Sequence, residues 1–376
     1  MNKIKLNWIF LLIITSTVLL ALPSLFTGLK GDEITYNSIS NEILNAKYYF
    51  NGSPSTITPL IPVINSLFKF PPFFDISTIG HRMLNLILAG FGFAFLYRIL
   101  KRNNLSKPII HSILLLSITN NISLACYNTM YPESMLLFSF WGIIYYLGNP
   151  KSIINFVKIL ILLLVATLTR YIYITLGLLV LTYFIAFLKE EKHLRMKIIG
   201  LSLIFIIPLF YWVKHIYIIE HTQENNLSYF SRYEVENPIL HNIKCGIGVE
   251  KSFEVNKHNG IPAFISLFIP KTGLRNWPVS IAMFLICIIG FIKQLKIKDY
   301  FNLLCNTLLI MLALVLAGTG FSRYWLVLLP TYIIGFYLFS LKLKLNEIYF
   351  YYASLGISII YLINQFRLDL LILKTI

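Results

Sequence analysis

Apolar and polar positions alternate in long blocks along nearly the whole chain. The apolar runs reach about 17–20 residues, the length that a helix needs to cross a lipid bilayer. The first run is longer than the apolar centre of a signal peptide and no Ala-x-Ala site follows it, so we predict a retained anchor. The pattern predicts an all-α polytopic membrane protein, a single multi-pass domain over 1–376, with about eleven spans at 8–27, 79–98, 109–126, 134–148, 153–168, 172–188, 198–213, 278–293, 301–318, 324–341 and 348–364.

Composition supports this interpretation and the charge pattern orients the chain. Hydrophobic residues make up 57% of the 376 residues and charged residues only 13%, whereas about 25% is usual in soluble domains. The net charge of +16 raises the question of a nucleic-acid partner, but the basic residues collect on one side of the predicted spans, as cytoplasmic loops do. We therefore expect no nucleic-acid partner. The basic positions on that side are Lys3, Lys5, Arg98, Lys101, Arg102, Lys107, Lys151, Lys189, Lys192, Arg195, Lys197, Lys293, Lys296, Lys298, Lys342 and Lys344.

Two long segments lie on the opposite, extracytoplasmic side. The first, 28–78, begins with apolar positions at helical spacing over 33–50, which predicts a helix lying in the membrane interface. Its Pro-rich part, 54–72, allows only short helices or extended pieces. The second segment, 214–277, is mostly polar, with short helices predicted near 226–236 and 262–269. Segments of this length without regular structure are usually functional or disordered.

An acidic pair follows the first predicted span. Asp32 and Glu33 lie at a membrane surface in a chain with only 16 acidic residues. Carboxylates beside lipid are costly and often mark chemistry or transport. Either one could act as a general base toward a hydroxyl group. The alternative is structural, because acidic residues favour the first turn of a helix.

Cationic residues at the outer ends of spans are candidate phosphate ligands. Arg170 and Arg323 lie where the charge pattern disfavours them, and a guanidinium grips phosphate with two hydrogen bonds. Both could instead be interface anchors, helped by neighbouring aromatic residues such as Tyr324. Lys257 and His258, in the second outer segment, could contact phosphate or be ordinary solvated charges.

Two further polar residues lie at outer span ends. Arg82 opens the second span, where it could bind substrate or phosphate or could equally have a structural role at the membrane interface. Glu133 follows Tyr131-Pro132 in a short outer loop, where it could meet Asp32 across a cavity or cap the next helix. The chain has no His-Glu-x-x-His motif and no Cys-x-x-Cys pair, so we predict no dedicated metal and no cofactor. It also has no phosphate-binding Gly-rich loop, which argues against ATP-driven transport by this chain alone.

The order of these elements resembles the GT-C class of membrane glycosyltransferases, and most of all the dolichyl-phosphate-glucose α-1,2-glucosyltransferase family. Tyr36 and Leu60 stand where that family has His and Gly. The collinear elements are Asp32-Glu33, 48–52, 53–60, Arg82-Met83-Leu84-Asn85, 130–134, Gly148-Asn149-Pro150-Lys151, Thr169-Arg170-Tyr171, 248–252 with His258, and 321–324 with Pro330. Thr58 lies within one of them and is a further candidate for binding substrate or phosphate.

The resemblance implies an inverting transferase that moves a hexose, with glucose favoured, from a polyprenyl-phosphate donor to a glycan or lipid-linked acceptor. Asp32 would be the base and Glu33 would orient the acceptor. Arg323, with Arg170 or Lys257, would stabilise the departing phosphate. The membrane would be a bacterial inner membrane or the endoplasmic reticulum, with the site facing the periplasm or lumen. A lipid or glycan transporter or flippase is the alternative, although no inverted repeat is visible, and a non-catalytic scaffold is a second one.

Overall fold

Helices account for most of the computed structural model, which describes residues 3–69, 76–222, 237–251, 260–269, 274–318 and 322–373. Short 3-10 helices join several of them, at Leu22–Phe26, Tyr171–Leu176, Lys192–Leu194, Ile261–Leu267 and Leu326–Leu328. The α-helices of these ranges are α1 Lys3–Ala21, α2 Asp32–Ile43, α3 Leu60–Leu67, α4 Ser77–Arg102, α5 Lys107–Ile118, α6 Asn121–Tyr127, α7 Glu133–Gly148, α8 Ile153–Thr169, α9 Gly177–Glu190, α10 Arg195–Thr222, α11 Pro238–Ile247, α12 Trp277–Ile292, α13 Lys298–Leu316, α14 Ser322–Trp325, α15 Leu329–Lys342 and α16 Glu347–Leu373.

The prediction of an all-α polytopic membrane protein is confirmed. Helices occupy every predicted span range, but fewer than eleven meet the length and composition expected of a span. In the described ranges six do so, and α5 with α6, bent by 63° at their junction, would make a seventh. The count of eleven therefore stays a prediction. The six are Trp8–Phe26, Ser77–Arg102, Tyr171–Glu190, Lys192–Ile219, Lys298–Leu316 and Arg323–Lys342.

The most extensive contacts between helices are those of α7 with α4 and α8, and of α12 with α15. Trp141 of α7 is fully buried and its indole N–H donates to the carbonyl of Val327. Small residues allow the closest approach elsewhere: a Cβ on Gly290 of α12 would overlap the backbone of Gly335 in α15. Close van der Waals contact of this kind holds helices together inside lipid, where burial of apolar surface adds little.

One helix lies at the edge of this bundle. In Lys192–Ile219, which includes most of α10, only 6% of the most apolar stretch is buried inside the protein. Its apolar face is therefore left for lipid. The helix also continues to Thr222, past the predicted span end at residue 213 and into the range predicted as the second outer segment. The predicted short helix near 226–236 lies outside the described residues, whereas the one near 262–269 corresponds to the 3-10 helix Ile261–Leu267.

The first outer segment folds into a compact cap. The predicted interfacial helix is present as α2, but it ends at Ile43 rather than near residue 50, because Ala46 adopts a positive φ of 56° and the chain turns. A small hairpin follows, with strand β1 Tyr49–Phe50 antiparallel to strand β2 Ser53–Pro54. Asn51 and Gly52 both have positive φ in its two-residue turn, as Asn-Gly hairpins require. Then α3 packs against α2 and places the cap over α4.

Candidate active site

The acidic pair occupies the first turn of α2, and its two side chains have different surroundings. The helix begins after Gly31, whose φ of 53° and ψ of −126° suit glycine alone. Asp32 keeps 43% of its side chain exposed, whereas the side chain of Glu33 is completely buried. Successive helical residues point about 100° apart, so one carboxylate faces the open side of the cap and the other faces the protein interior.

Glu33 is held in a buried network with Arg82. The Arg82 guanidinium donates to both Glu33 carboxylate oxygens, at 3.0 and 2.7 Å. Glu33 also accepts hydrogen bonds from the backbone N–H groups of Met130 at 2.8 Å and Lys30 at 3.0 Å. The remaining Arg82 donors reach four carbonyls of the chain between α1 and α2, those of Ser24, Leu25, Thr27 and Gly28. This pair therefore fixes the cap to α4.

Asp32 forms the second ion pair, with a residue from the far end of the chain. An Nη2 donor of Arg323 lies 2.6 Å from Asp32 Oδ2. The Arg323 side chain is 21% exposed, and its guanidinium lies over the ring of Tyr131, 4.9 Å from the centroid. A partly open carboxylate thus lies beside a cation that an aromatic face positions.

A third ion pair lies deeper. Arg170 Nη2 is 3.4 Å from Oε1 of Glu133, whose side chain is fully buried at the first turn of α7. The other carboxylate oxygen of Glu133, Oε2, has no hydrogen-bond partner among the described residues. The Arg170 guanidinium also stacks on Tyr324, 3.9 Å from the ring centroid, and Arg323 lies 5.2 Å from the same centroid. Tyr324 therefore joins the two arginines.

Tyr36 marks the point where these charges converge. It lies one helical turn after Asp32 and is buried. Burial raises the pKa of its phenol. The charges of Arg170 and Arg323 lower that pKa and those of Asp32 and Glu133 raise it. Burial likewise raises the pKa of Tyr131 to about 12. Both hydroxyls stay protonated at neutral pH and can donate hydrogen bonds to an oxyanion. The sequence interpretation gave neither tyrosine a role, although the spacing of four from Asp32 to Tyr36 was a usable signal.

Thr58 supports the site from beneath. Its hydroxyl donates to the carbonyl of Thr169 at 2.8 Å, directly before Arg170. The hydroxyl of Tyr171 donates in turn to the carbonyl of Thr56 at 2.6 Å. These bonds fasten the outer segment to the end of α8. The structure thus brings Asp32, Arg323, Arg170, Glu133 and Tyr324 together, whereas Lys257 and His258 lie outside the described residues.

The two carboxylates of this charge cluster, those of Asp32 and Glu133, are both paired with guanidinium groups. Asp32 has Arg323 and Glu133 has Arg170, so the two positive charges match the two negative ones. A phosphate entering this cluster would compete for the arginines, which offer the planar, forked donors that phosphate oxygens prefer. The arrangement can hold an anion next to a carboxylate able to accept a proton.

A scan against protein-family models and a search of curated proteins gave no match to this chain. Among solved structures, the fold is similar to that of ArnT from Cupriavidus metallidurans, crystallised bound to undecaprenyl phosphate. The TM-score is 0.53 at 12% identity, over 94% of this chain and 62% of ArnT. The chain thus spans 62% of the length of ArnT. At this identity the likeness concerns the fold alone.

Proposed function

We propose that the protein is an inverting glycosyltransferase that moves a sugar from a polyprenyl-phosphate donor to an acceptor hydroxyl on the extracytoplasmic side of the membrane. The observation that carries the proposal is the 2.6 Å contact between Asp32, which follows one candidate span, and Arg323, which begins another. It joins a candidate base to a candidate phosphate ligand. The similarity of the fold to that of ArnT, which was crystallised bound to undecaprenyl phosphate, supports a polyprenyl-phosphate donor.

Asp32 is the proposed general base. The acceptor oxygen attacks the anomeric carbon from the face opposite the phosphate, and its proton passes to the Asp32 carboxylate. The bond between the anomeric carbon and the phosphate oxygen breaks, and its electron pair leaves with the phosphate. Glu33 was expected to orient the acceptor, but its hydrogen bonds within the described residues are all to Arg82 and to the backbone N–H groups of Lys30 and Met130. We therefore assign Glu33 the positioning of α2, and with it of Asp32.

Arg323 is the proposed ligand of the departing phosphate, with Arg170 as a second cation. In the structure Arg323 binds Asp32. A donor phosphate offers oxygens to the same guanidinium, so its arrival draws Arg323 from Asp32 and leaves the carboxylate free to accept a proton. Charge that builds on the phosphate during bond breaking is then stabilised by fixed cations, which commonly contributes factors of about 10²–10³ in rate.

An apolar cavity of about 370 Å³ between α12, α13 and the 3-10 helix Ile261–Leu267 is the proposed place for the lipid chain. Trp325, two residues after Arg323, forms part of its wall. Phe264, Met311 and Leu312 form other parts. A polyprenyl chain lying there would leave its phosphate next to Arg323. Because Trp325 is so near Arg323 in the sequence, we favour this cavity over the similar apolar cavity between α8, α9 and α10.

The sugar and acceptor follow from the resemblance to the α-1,2-glucosyltransferase family rather than from contacts. We propose glucose as the transferred hexose and a glycan or lipid-linked saccharide as the acceptor. The membrane is proposed to be a bacterial inner membrane or that of the endoplasmic reticulum, with the site on the periplasmic or lumenal side. Tyr36, which replaces the His of the family pattern, faces the charge cluster and so suits a different acceptor from the family's own.

The test is sugar transfer by purified protein in liposomes. Radiolabelled polyprenyl-phosphate-glucose and polyprenyl-phosphate-mannose are supplied in parallel with a membrane lipid extract as acceptor. Transfer from the glucose donor should fall about 10²–10⁴-fold in Asp32→Asn. Glu42→Gln, ten positions along the same helix, is the matched control and should keep full activity. Full activity in Asp32→Asn would overturn the base assignment. Movement of labelled donor across the bilayer without transfer would instead establish a transporter.

A further inference from the structure

A cluster of three metal-ligand side chains lies on α11, in the second outer segment. His241 and Cys245 are one helical turn apart on the same face. Glu250 follows the end of the helix and lies against both. The ligand atoms of the three residues all lie within 4.8 Å of one another. Among the described residues, this is the group of three His, Cys or acidic side chains that meets this spacing.

The local sequence builds this cluster. The Asn237 side chain accepts a hydrogen bond from the N–H of Leu240 and so caps the start of α11. The helix ends at Gly248, which has a φ of 85° and donates to the carbonyl of Lys244 at 3.0 Å. The left-handed glycine reverses the chain. The two residues that follow bring Glu250 back over the turn that carries Cys245.

The spacing of the three residues is compatible with one ion after a local adjustment. Glu250 Oε2 lies 2.8 Å from His241 Nδ1, whereas Cys245 Sγ lies 3.3 Å from the other ring nitrogen, Nε2. Ligand atoms around zinc are roughly 3–4 Å apart, given bonds of about 2.0–2.3 Å. An ion binds only one imidazole nitrogen, so the residue that contacts the other nitrogen must move towards the ion to complete three protein ligands. The thiol is buried, whereas Glu250 is 37% exposed, so the way in from solvent passes Glu250.

We propose that His241, Cys245 and Glu250 bind a divalent cation of the zinc class. Thiolate and imidazole ligands select zinc over magnesium and calcium, which prefer oxygen ligands. On binding, the Cys245 thiol releases its proton to solvent, and the thiolate and the carboxylate balance the two positive charges. Water takes the fourth position. The sequence predicted no metal because the His-x₃-Cys-x₄-Glu spacing forms a site only through the turn at Gly248.

Lys244 is the cation that the metal must replace. Its ammonium donates to Glu250 Oε1 at 2.8 Å, and its side chain is 42% exposed. A flexible, half-exposed lysine can move into water when an ion arrives. Removal of this competing charge should therefore strengthen metal binding, which is an effect that misfolding cannot imitate.

The position of α11 gives the ion a structural role. A Cβ on Gly246 would overlap the backbone of Val315 at the outer end of α13, and Asn242 packs against Gly318. Gly318 lies five residues before Arg323 in the sequence. An ion that fixes α11 and its turn would thus stiffen the surface against which the outer end of α13 packs. The proposal does not depend on the transferase reaction.

The experiment uses the full chain in detergent, stripped of metal by a chelator and titrated with Co²⁺. One equivalent should produce the visible bands of tetrahedral Co²⁺ and a near-ultraviolet thiolate charge-transfer band. Cys245→Ser should abolish the charge-transfer band, and His241→Ala and Glu250→Gln should each weaken binding at least about tenfold. Cys305→Ser, at a partly exposed cysteine of α13, is the matched control.

Lys244→Met should tighten Co²⁺ binding about tenfold or more, because one competing positive charge is gone. Zn²⁺ should displace Co²⁺ and bleach the bands. The proposal is overturned if stripped wild-type protein shows no saturable bands. It is equally overturned if the charge-transfer band survives Cys245→Ser, or if Lys244→Met binds no more tightly than the wild type.

Discussion

The Asp32 carboxylate accepts a 2.6 Å hydrogen bond from Arg323, although 291 positions separate the two residues. Under the proposed mechanism this arginine leaves Asp32 for the donor phosphate. Arg323→Gln should therefore lower the turnover number about 10²–10³-fold. Arg323→Lys should recover only part of that loss, because an ammonium lacks the planar fork of a guanidinium. The check is the rate of sugar transfer at saturating donor.

Arg195→Gln is the control for that change. Arg195 begins α10, away from the charge cluster, and donates to the carbonyl of Leu188 in α9. Its substitution should leave transfer unchanged. The thermal stability of Arg323→Gln should also stay close to that of wild type, because partly exposed ion pairs contribute about 0–1 kcal/mol. Equal activity of Arg323→Gln and wild type would remove Arg323 from the mechanism.

Substitutions of the two adjacent carboxylates should differ in their effects on stability and on activity. Glu33→Gln leaves the fully buried Arg82 without its counter-ion, a loss of about 3–5 kcal/mol for buried pairs. Asp32→Asn acts on a half-exposed group and should scarcely change unfolding while it abolishes transfer. Thermal unfolding in detergent, measured beside activity, distinguishes the two. A Glu33→Gln protein that unfolds with wild-type stability would contradict the positioning role.

Much of this could be predicted from the sequence, and the parts that could not depend on the direction of side chains. Apolar runs predicted helices in the right places because a bilayer allows little else. Their pattern could not show that Asp32 faces the open cluster and Glu33 the interior, since neighbouring positions on one helix differ only by rotation. The early end of α2 was missed for a local reason: the chain turns at Ala46 and then enters the hairpin around Asn51-Gly52, and both features interrupt the apolar spacing that favoured a longer helix.

Gly31 should be intolerant of any side chain. Its φ of 53° is costly for other residues, and a Cβ would lie 2.9 Å from the Tyr131 hydroxyl. Gly31→Ala should destabilise the protein by about 1–3 kcal/mol and lower transfer, because the start of α2 positions Asp32. Adding Tyr131→Phe removes the close oxygen but not the backbone strain, so it should restore only part of the lost stability. Unfolding of the single and double variants provides the measurement; full recovery in the double variant would show that φ is not the cause.

A bulky residue in the cavity between α12 and α13 should impair long donors selectively. Leu312 lines this cavity and is largely exposed on α13, so Leu312→Trp can fill the space without disturbing the packed core. If the lipid chain lies there, the Michaelis constant for a long polyprenyl donor should rise about tenfold or more, since each buried CH₂ contributes about 0.8 kcal/mol. Leu312→Trp should use a donor with one or two isoprene units as efficiently as the wild type does. Leu203→Trp, in the cavity between α8, α9 and α10 and exposed to a similar extent, is the matched control and should affect neither donor. The reverse result, with the long donor impaired only by Leu203→Trp, would move the lipid chain to that second cavity and separate it from Trp325 and Arg323.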